Sequence, residues 1–371
     1  MRIAITRTIP NFSMDVYADS IILALKTVRP DWEIIELAPY PFDCNNSSLW
    51  VRGRKFYERF WHFPQTVRQH SADIFHVIDH SEGHIVNWLK KTGKPVIVTC
   101  HDLINFFYRE NLQSSLKVPI LSDIMWMNSV KSMRNANHII TVSQVTAKDA
   151  VNILNIQPQQ ITVIPNTVDP IFRQLSVTEI HAFRQQQGIS PETLCLLNVG
   201  SNHPRKNLST ILQALKIVKS QGLLYKFWKV GSDFTEVQKQ FISNHKLEDN
   251  IHYLGQPNKA LLLKLYNAAD ILLAPSLHEG FGITLIEAMA CGTPVITSNT
   301  SAMPEVVGNA GILVNPTNPE EIASAIFSLH HDQIYYRKLV TESLSRVKNF
   351  HWEFIAEKIA FTYEKVIMNQ V

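Results

Sequence analysis

Two glutamates eight positions apart, Glu279 and Glu287, bracket a glycine-bearing turn in this chain. The apolar run at 271–274 before them predicts a buried parallel strand, and residues 284–291 predict a helix that the following glycine ends. The glycines of the turn let the backbone come close to a ligand, and the free N–H groups at a helix start favour an anion. The turn is therefore a predicted ligand site.

The two carboxylates suit a sugar. Glu279 precedes the predicted helix, and Glu287 lies about one turn inside it. A carboxylate accepts paired hydrogen bonds from a vicinal diol, so ribose or a hexose is the expected partner. Taken singly, a glutamate on an amphipathic helix is usually part of a solvated face, so the functional interpretation depends on the surrounding pattern.

A second loop repeats the arrangement of strand, loop and helix start. Arg205 and Lys206 follow an apolar strand at 194–199 and a glycine, and they precede a predicted helix at 208–218. Alone they would be a solvated basic pair. At the carboxyl edge of an open parallel sheet, two cations can offset the charge that grows on a departing diphosphate.

Length and composition predict two domains. The chain has 371 residues, 45% of them hydrophobic and 18% charged, which is enough for two cores. A net charge of +3 is too small to indicate nucleic acid as the main partner. The four cysteines, Cys44, Cys100, Cys195 and Cys291, lie far apart, which predicts buried reduced thiols. The amino terminus reads as a strand and no apolar stretch could span a bilayer, so we expect a cytoplasmic protein.

Short apolar runs alternate with segments of helical period, which predicts doubly wound α/β domains. The pattern restarts after residues 165–173. We therefore expect two Rossmann-like halves that face a cleft. The predicted strands are 3–5, 34–37, 74–77, 96–99, 138–142, 161–164, 194–199, 225–230, 251–254, 270–274, 294–296 and 311–314.

The glutamate segment resembles the E-x7-E signature of the retaining glycosyltransferases of family GT4, which have the GT-B fold. The resemblance covers nearly the whole chain, with further motifs in family order. They are HD at 101–102, IPNTVD at 164–169, VGSNHPRKN at 199–207, CGTPV at 291–295 and PEVV at 304–307.

The resemblance implies an acceptor domain at 1–172, joined by a crossover helix at 351–371, and a nucleotide-sugar donor domain at 173–350. It implies that Arg205, Lys206 and the amides near 281–284 hold the donor diphosphate, that Glu279 binds the transferred sugar, and that Glu287 binds the ribose. His101 would contact the donor hexose. The remaining donor-binding residues that it implies are Gly200, Ser201, Asn202, Leu254, Phe281, Gly282, Ile283 and Thr284.

The implied reaction moves a hexose from a nucleotide diphosphate sugar to a saccharide or lipid-linked saccharide hydroxyl with retention. Double displacement would need a carboxylate nucleophile about 5 Å from the acid/base, and no carboxylate of the first domain fits that role. We therefore expect front-face attack, in which the leaving phosphate takes the acceptor proton. The PRKN sequence favours GDP-mannose, with a UDP-sugar as the alternative. Because no D-x-D pair is present, we expect no metal and no cofactor beyond the co-substrate.

Some positions depart from the family pattern. The loop at 7–15, usually glycine-rich, contains no glycine, and Ser201 stands where an arginine is common. Thr167 replaces a turn glycine, and Thr284 replaces a frequent proline. The glycine-free loop motivates an alternative, a catalytically inactive glycan-binding or scaffold partner. A nicotinamide-dependent oxidoreductase is a weaker alternative, because no G-x-G-x-x-G follows the first strand.

His76, His80 and His84 have a four-residue spacing that can supply metal ligands on a helix. His76 ends a strand-like run, however, so the three need not share a helical face. We expect no metal site here. His80 is expected to line the cleft as an acceptor contact or to form hydrogen bonds in the core.

Residues 50–70 interleave five basic residues with six aromatics and one acid. We expect a helix whose aromatics are core and whose basic side chains are solvated. The alternative is a segment that docks on the inner face of an anionic membrane to reach a lipid-linked acceptor. Nucleic-acid binding is not expected, because no recognisable binding module accompanies the segment.

Overall fold

The computed structural model describes residues 1–8, 13–41, 48–107 and 120–369. The chain folds into two compact units, one of Met1–Thr167 with Trp352–Val371 and one of Val168–His351. Each unit contains a six-stranded sheet, and the strands within each sheet pair in parallel. The predicted doubly wound α/β architecture is confirmed.

The sheet of the first unit has the order β2-β1-β3-β4-β5-β6. Its central strands are fully buried, as expected for near-continuous apolar runs. The strands are β1 Arg2–Thr6, β2 Glu33–Leu37, β3 Ile74–Val77, β4 Val96–Cys100, β5 His138–Thr141 and β6 Ile161–Val163. The described helices before the second unit are α1 Ser13–Val28, α2 Leu49–Tyr57, α3 Phe63–Gln69, α4 Ile85–Leu89, α5 Ile104–Phe107, α6 Ile120–Ser132 and α7 Gln144–Leu154.

The sheet of the second unit has the order β12-β11-β10-β7-β8-β9. Its strands are β7 Leu194–Gly200, β8 Tyr225–Gly231, β9 Ile251–Tyr253, β10 Ile271–Ala274, β11 Val295–Ser298 and β12 Gly311–Val314. Its helices are α8 Val177–Gln186, α9 Leu208–Ser220, α10 Glu236–Asn244, α11 Lys259–Ala268, α12 Ile283–Ala290, α13 Met303–Val307, α14 Pro319–His331 and α15 Gln333–Arg346.

The strand order of the second unit brings together loops that are far apart in sequence. β7 pairs with β10, so the loops that follow these two strands lie side by side. The Leu277 N–H donates to the Arg205 carbonyl at 2.7 Å across this junction. Ligands of open α/β sheets gather at such a point, where the strand order reverses.

Observed element boundaries differ from the predicted ones by one or two residues. β11 begins at Val295 instead of Pro294, because proline has no N–H to donate to the strand ladder. α12 ends at Ala290, and Cys291 is its C-cap. Cys100, Cys195 and Cys291 are buried free thiols, as predicted, whereas Cys44 lies outside the described residues.

The C-terminal helix, Trp352–Met368, belongs to the first unit. Ile359 and Tyr363 are fully buried in the same hydrophobic cluster as Ile3 of β1. Arg29 adds ion pairs to Glu357 and Glu364 on this helix. No described helix is both long and apolar enough to cross a bilayer.

The expectation of core aromatics at 50–70 is wrong for four of the six. Trp50 is 71% exposed and Trp61 is 56% exposed, and Phe56 and Tyr57 are exposed as well. A π-helical turn, Glu58–His62, follows α2, and only after it does an aromatic of the segment become buried, at Phe63. A π turn adds a residue per turn, so it changes the face that the helix presents to the core.

Candidate functional site

The loop after β7 carries the two predicted cations on a 3₁₀ turn, Pro204–Lys206. The turn ends at Asn207, whose φ of 60° is left-handed. Its side-chain amide donates to the carbonyls of Pro275 at 2.9 Å and Pro316 at 2.6 Å. Asparagine tolerates this conformation better than other non-glycine residues. Asn207 therefore ties the cationic turn to two neighbouring loops.

Glu279 lies between these cations, buried to 8% exposure. Arg205 Nη1 is 2.5 Å from one carboxylate oxygen, and Lys206 Nζ is 2.6 Å from the other. Ser276 Oγ donates to the same carboxylate at 2.9 Å. Burial alone would raise the pKa of Glu279, but the charges and hydrogen bonds of Lys206 and Arg205 outweigh it and lower the pKa. The structure thus brings three of the predicted residues together as one charged cluster, Glu279–Arg205–Lys206.

Ser301 fixes the backbone of Glu279. It follows β11 and has a left-handed φ of 56°. Its hydroxyl accepts from the Glu279 N–H at 3.1 Å and donates to the Glu279 carbonyl at 2.7 Å. Both polar groups of the Glu279 main chain are therefore satisfied by one side chain.

The start of α12 has the features predicted for an anion site. Gly282 is its N-cap at a φ of 95°, and no side chain caps the first N–H groups. Phe281 is buried with its ring edge-on to Phe350, whereas Ile283 is 44% exposed and Thr284 is half-buried. The uncapped N–H groups and the helix dipole favour a negative charge here.

Glu287 is half-buried on α12, and the Tyr266 hydroxyl donates to its carboxylate at 2.7 Å. Burial raises the pKa of Glu287 to about 7, and the hydrogen bond from Tyr266 opposes that shift. The side chain is consequently a carboxylate above about pH 7 and loses that charge below it. Its assignment to the ribose stays a prediction.

The other predicted donor-binding residues lie at or after the ends of β7 and β9. Gly200 ends the strand, and Ser201 is exposed directly after it. The side chain of Asn202 is engaged within the protein, since it donates to the Asp233 carbonyl and exchanges hydrogen bonds with Gln238. Leu254, after β9, donates its N–H to the Lys229 carbonyl at 2.9 Å.

His101 belongs to the first unit, where it follows β4. Its Nε2 donates to the Ile78 carbonyl at 2.8 Å, and its ring lies edge-on to Tyr17 at 4.6 Å. Burial lowers the pKa of His101, although the Asp79 charge opposes that shift. Residues 9–12 of the predicted N-terminal loop lie outside the described residues.

The three histidines of the four-residue series are separately engaged. His76 lies in β3, with hydrogen bonds to Tyr363 and Thr99, and burial lowers its pKa to about 3. His84 bonds through both ring nitrogens to Ser129 and to the carbonyl of Arg59. His80 is buried and accepts a hydrogen bond from the His101 N–H at 3.4 Å. Among the described residues, no group of three or more His, Cys, Asp or Glu side chains is arranged to hold a metal ion.

Two family models match the chain, one for each unit. Residues 33–172 match the family described as Glycosyltransferase Family 4, and residues 179–346 match Glycosyl transferases group 1. The chain belongs to the GT4-type glycosyltransferases. The family and the enzyme class predicted from the sequence, a GT4 member and a transferase, therefore agree with the two family models.

Relatives of this GT4-type chain include mannosyltransferases. O-antigen chain mannosyltransferase B of Escherichia coli is 28% identical over 60% of this chain and 59% of its own length. The serotype-specific mannosyltransferase WbdA of the same organism is 26% identical over 76% of this chain and 35% of its own length. The matches thus span between about a third and three fifths of the length of these relatives.

Solved structures show the GT-B fold. Sucrose-phosphate synthase from Thermosynechococcus elongatus matches with a TM-score of 0.78 at 20% identity, over 100% of both chains. Anabaena HepE in complex with UDP and glucose matches with a TM-score of 0.74 at 19% identity, over 98% of this chain and 100% of its own. The predicted GT-B fold is confirmed.

Four polar residues of the site were given no individual role from the sequence. Asn207, Ser301 and Tyr266 hold predicted residues in place, and Lys229 is buried beneath Gly200. The signal for Lys229 was a lysine on the strand face that also carries Tyr225 and Phe227, and the signal for Asn207 was an asparagine directly before a helix. Ser301 and Tyr266 have no comparable signal in a single sequence.

Replacement of Asn207 by glycine should loosen the cationic turn. Glycine keeps the left-handed backbone but removes three hydrogen bonds, two donated to carbonyls and one accepted from the Thr210 hydroxyl, at a cost on the order of 1–3 kcal/mol in stability. The temperature of thermal unfolding and the turnover number should both decrease. The control is Asn155→Gly, at another left-handed asparagine, with a φ of 54°, which should change neither. Equal behaviour of the two variants would contradict the anchoring role.

Proposed function

We propose that this chain transfers a hexose from a nucleotide diphosphate sugar, with GDP-mannose preferred over a UDP-sugar, to a saccharide or lipid-linked saccharide acceptor with retention of configuration. The cluster Glu279–Arg205–Lys206 carries the proposal, because it combines cations for a diphosphate with a carboxylate for a sugar at one sheet edge. Relatives named as mannosyltransferases and a structural neighbour that binds UDP and glucose support the ligand class.

In the proposed reaction the donor lies along the described edge of the second unit. Arg205, Lys206 and the uncapped amides of α12 bind the diphosphate and offset the charge that develops as it leaves. Glu279 accepts hydrogen bonds from the transferred hexose, and His101 contacts the same sugar. Glu287 accepts hydrogen bonds from the ribose hydroxyls.

The acceptor hydroxyl attacks the anomeric carbon on the face that the diphosphate leaves. The bond between the anomeric carbon and the phosphate oxygen breaks with its electron pair on that oxygen, which takes the acceptor proton. The new glycosidic bond forms on the same face, so the configuration is retained. The two cations supply the positive charge in this scheme, so it assigns no metal and no further cofactor.

An inactive glycan-binding or scaffold partner is the less favoured function. A buried ion pair contributes little net stability, because desolvation of the charges offsets their attraction. Two cations paired with a buried carboxylate are therefore better explained by catalysis than by a structural role. The glycine-free loop that motivated this alternative includes residues outside the described part of the chain.

Calorimetric titration with GDP, UDP and NAD tests the proposed donor class. We expect GDP or UDP to bind and NAD to leave the heat trace flat, and incubation with GDP-mannose or UDP-glucose should yield an α-linked product by NMR. Binding of NAD alone, or of no nucleotide, would reject the proposal. Nucleotide binding without transfer to any saccharide would favour the inactive partner.

Removal of the Lys206 ammonium should lower turnover strongly. Its contact with the diphosphate strengthens as the bond breaks, so Lys206→Ala should lose on the order of 10²-fold in kcat. Lys216→Ala is the matched control, because Lys216 is an exposed lysine on α9. If steady-state kinetics give both variants the wild-type kcat, Lys206 does not act on the leaving group.

The exposed side chains of residues 50–61 support a lipid-facing surface. We define the aromatic-basic patch as Trp50, Arg52, Arg54, Phe56, Tyr57 and Trp61, all of which are exposed. The Arg54 guanidinium lies over the rings of Trp50 and Tyr40 at 5.4 and 5.3 Å. Aromatic rings favour the headgroup depth, and each basic residue gains about 1 kcal/mol near anionic lipids. In this proposal the chain acts in the cytoplasm, at the inner face of a membrane that holds a lipid-linked acceptor.

Charge reversal should detach the chain from anionic vesicles. The triple variant Arg52→Glu, Arg54→Glu and Lys55→Glu should pellet less than wild type with phosphatidylserine-containing vesicles at low salt. A control that reverses three exposed bases elsewhere, Arg337→Glu, Lys338→Glu and Lys348→Glu, carries the same charge change and should pellet as wild type does. Absence of wild-type pelleting, or equal loss in both variants, would favour a soluble acceptor.

A further inference from the structure

Lys229 is a lysine with no exposed surface in the middle of the second unit. It lies on β8 beside buried Trp228 and Val230. A lysine is almost never fully buried unless its charge has partners. Among the described residues no carboxylate forms an ion pair with it. Its Nζ instead donates to the carbonyls of Gly200 at 2.7 Å and Val230 at 2.8 Å.

The contact with Gly200 fixes the peptide that joins β7 to the diphosphate loop. In a planar trans peptide, the carbonyl of one residue and the N–H of the next point in opposite directions. Because Lys229 holds the Gly200 carbonyl, the Ser201 N–H must point away from Lys229. The Ser232 N–H adds a second hydrogen bond to the same carbonyl at 3.3 Å.

Close packing against β8 prevents the Gly200–Ser201 peptide from moving toward that strand. A Cβ atom on Gly231 would lie 2.1 Å from the Gly200 oxygen, so only glycine fits there. On its other side Gly200 is covered by Lys206, whose Cε would be 3.5 Å from a Cβ built on Gly200. Gly200 therefore lies between two lysines, one from the cationic turn and one from the sheet.

We infer that Lys229 is a positioning residue for the donor diphosphate, which it serves by holding the Gly200–Ser201 peptide with its N–H free for a phosphate oxygen and by adding a third positive charge beneath the loop. The inference rests on the proposed function and deepens it. A buried ammonium that already donates to two carbonyls does not need to touch the ligand. Its positive charge can act on the diphosphate through space, because the protein interior has a low dielectric constant and screens the charge only weakly.

The charge of Lys229 depends on pH within an accessible range. Burial lowers the pKa of Lys229 to about 8, with a further lowering from the Lys206 charge and an opposing effect from Asp233. The polar residues in register with Lys229 are Asn198 on β7, whose side-chain amide donates to the Leu273 carbonyl at 2.8 Å, and Tyr253 on β9, whose hydroxyl donates to the Gly231 carbonyl. The ammonium is thus present below about pH 8 and is lost above it. The second ionisation of a phosphate has a pKa of about 6, so it is largely complete at pH 7.0 and affects wild type and variant alike.

The test compares GDP and UDP affinity of the full chain and of Lys229→Met by calorimetry at pH 7.0 and 8.5. Methionine keeps an unbranched side chain of similar length without the charge. At pH 7.0 the variant should bind the nucleotide about tenfold more weakly, because the Ser201 N–H is no longer held toward the phosphate and one nearby positive charge is lost. Because Glu287 titrates near pH 7 in both proteins, the readout is the ratio of their affinities: the advantage of wild type over the variant should shrink between pH 7.0 and 8.5.

Lys226→Met is the matched control. Lys226 lies on the same strand, and its Nζ donates to the carbonyls of Gln187 and Gly188, away from the loop. This variant should keep the wild-type affinity and its pH dependence. Because it removes the same charge, it separates a local effect from one of net charge.

Each remaining outcome overturns the inference. If wild type binds GDP or UDP and Lys229→Met binds it equally well, Lys229 has no part in donor binding, while the proposed function stands. If Lys229→Met weakens binding but keeps the wild-type pH dependence, its effect is only structural. If wild type binds neither nucleotide, both the inference and the proposed function fail.

Discussion

The buried cluster Glu279–Arg205–Lys206 is the interaction on which the rest of the candidate site depends. A carboxylate at 8% exposure needs partners, and removal of one partner from a buried ion pair is strongly destabilising. The cluster joins the loops that follow β7 and β10, and Ser301 joins the loop after β11 to the same glutamate. Three neighbouring strand ends are therefore held in register by charge and hydrogen bonds, at the edge of the sheet where ligands of open α/β folds generally bind.

The sequence predicted the strands that support the site but not the contacts within it. β7 and β10 are buried on both faces, so they read as continuous apolar runs that need no knowledge of their neighbours. The adjacency of β7 and β10 is a property of the sheet order, and the pairing of Glu279 with Arg205 and Lys206 follows from it. A single sequence therefore predicted these residues as separate sugar and diphosphate ligands, without their mutual ion pairs.

Local backbone conformation explains the residues that were missed. Asn207 and Ser301 adopt left-handed conformations that are common for glycine and uncommon for other residues, so neither follows a helix or strand period. Lys229 lies on the same face of β8 as the apolar Tyr225 and Phe227, and its ammonium finds its partners in the carbonyls of Gly200 and Val230. Each of these roles is defined by a residue at least twenty positions away in sequence. Residues 50–61 are helical as predicted, but Trp50, Phe56, Tyr57 and Trp61 are exposed, because the composition of a segment does not determine which of its faces packs on the core.

The same cluster constrains how a donor enters in the proposed reaction. A diphosphate that draws Arg205 and Lys206 toward itself removes two of the partners of Glu279, and the carboxylate remains buried. The hydroxyls of a hexose donate hydrogen bonds that can replace them, whereas a free nucleotide diphosphate brings no such groups to this position. Recognition of the sugar and recognition of the phosphates are therefore coupled through one carboxylate. After transfer the diphosphate again faces an unpartnered Glu279, and return of the two cations to the glutamate favours its release.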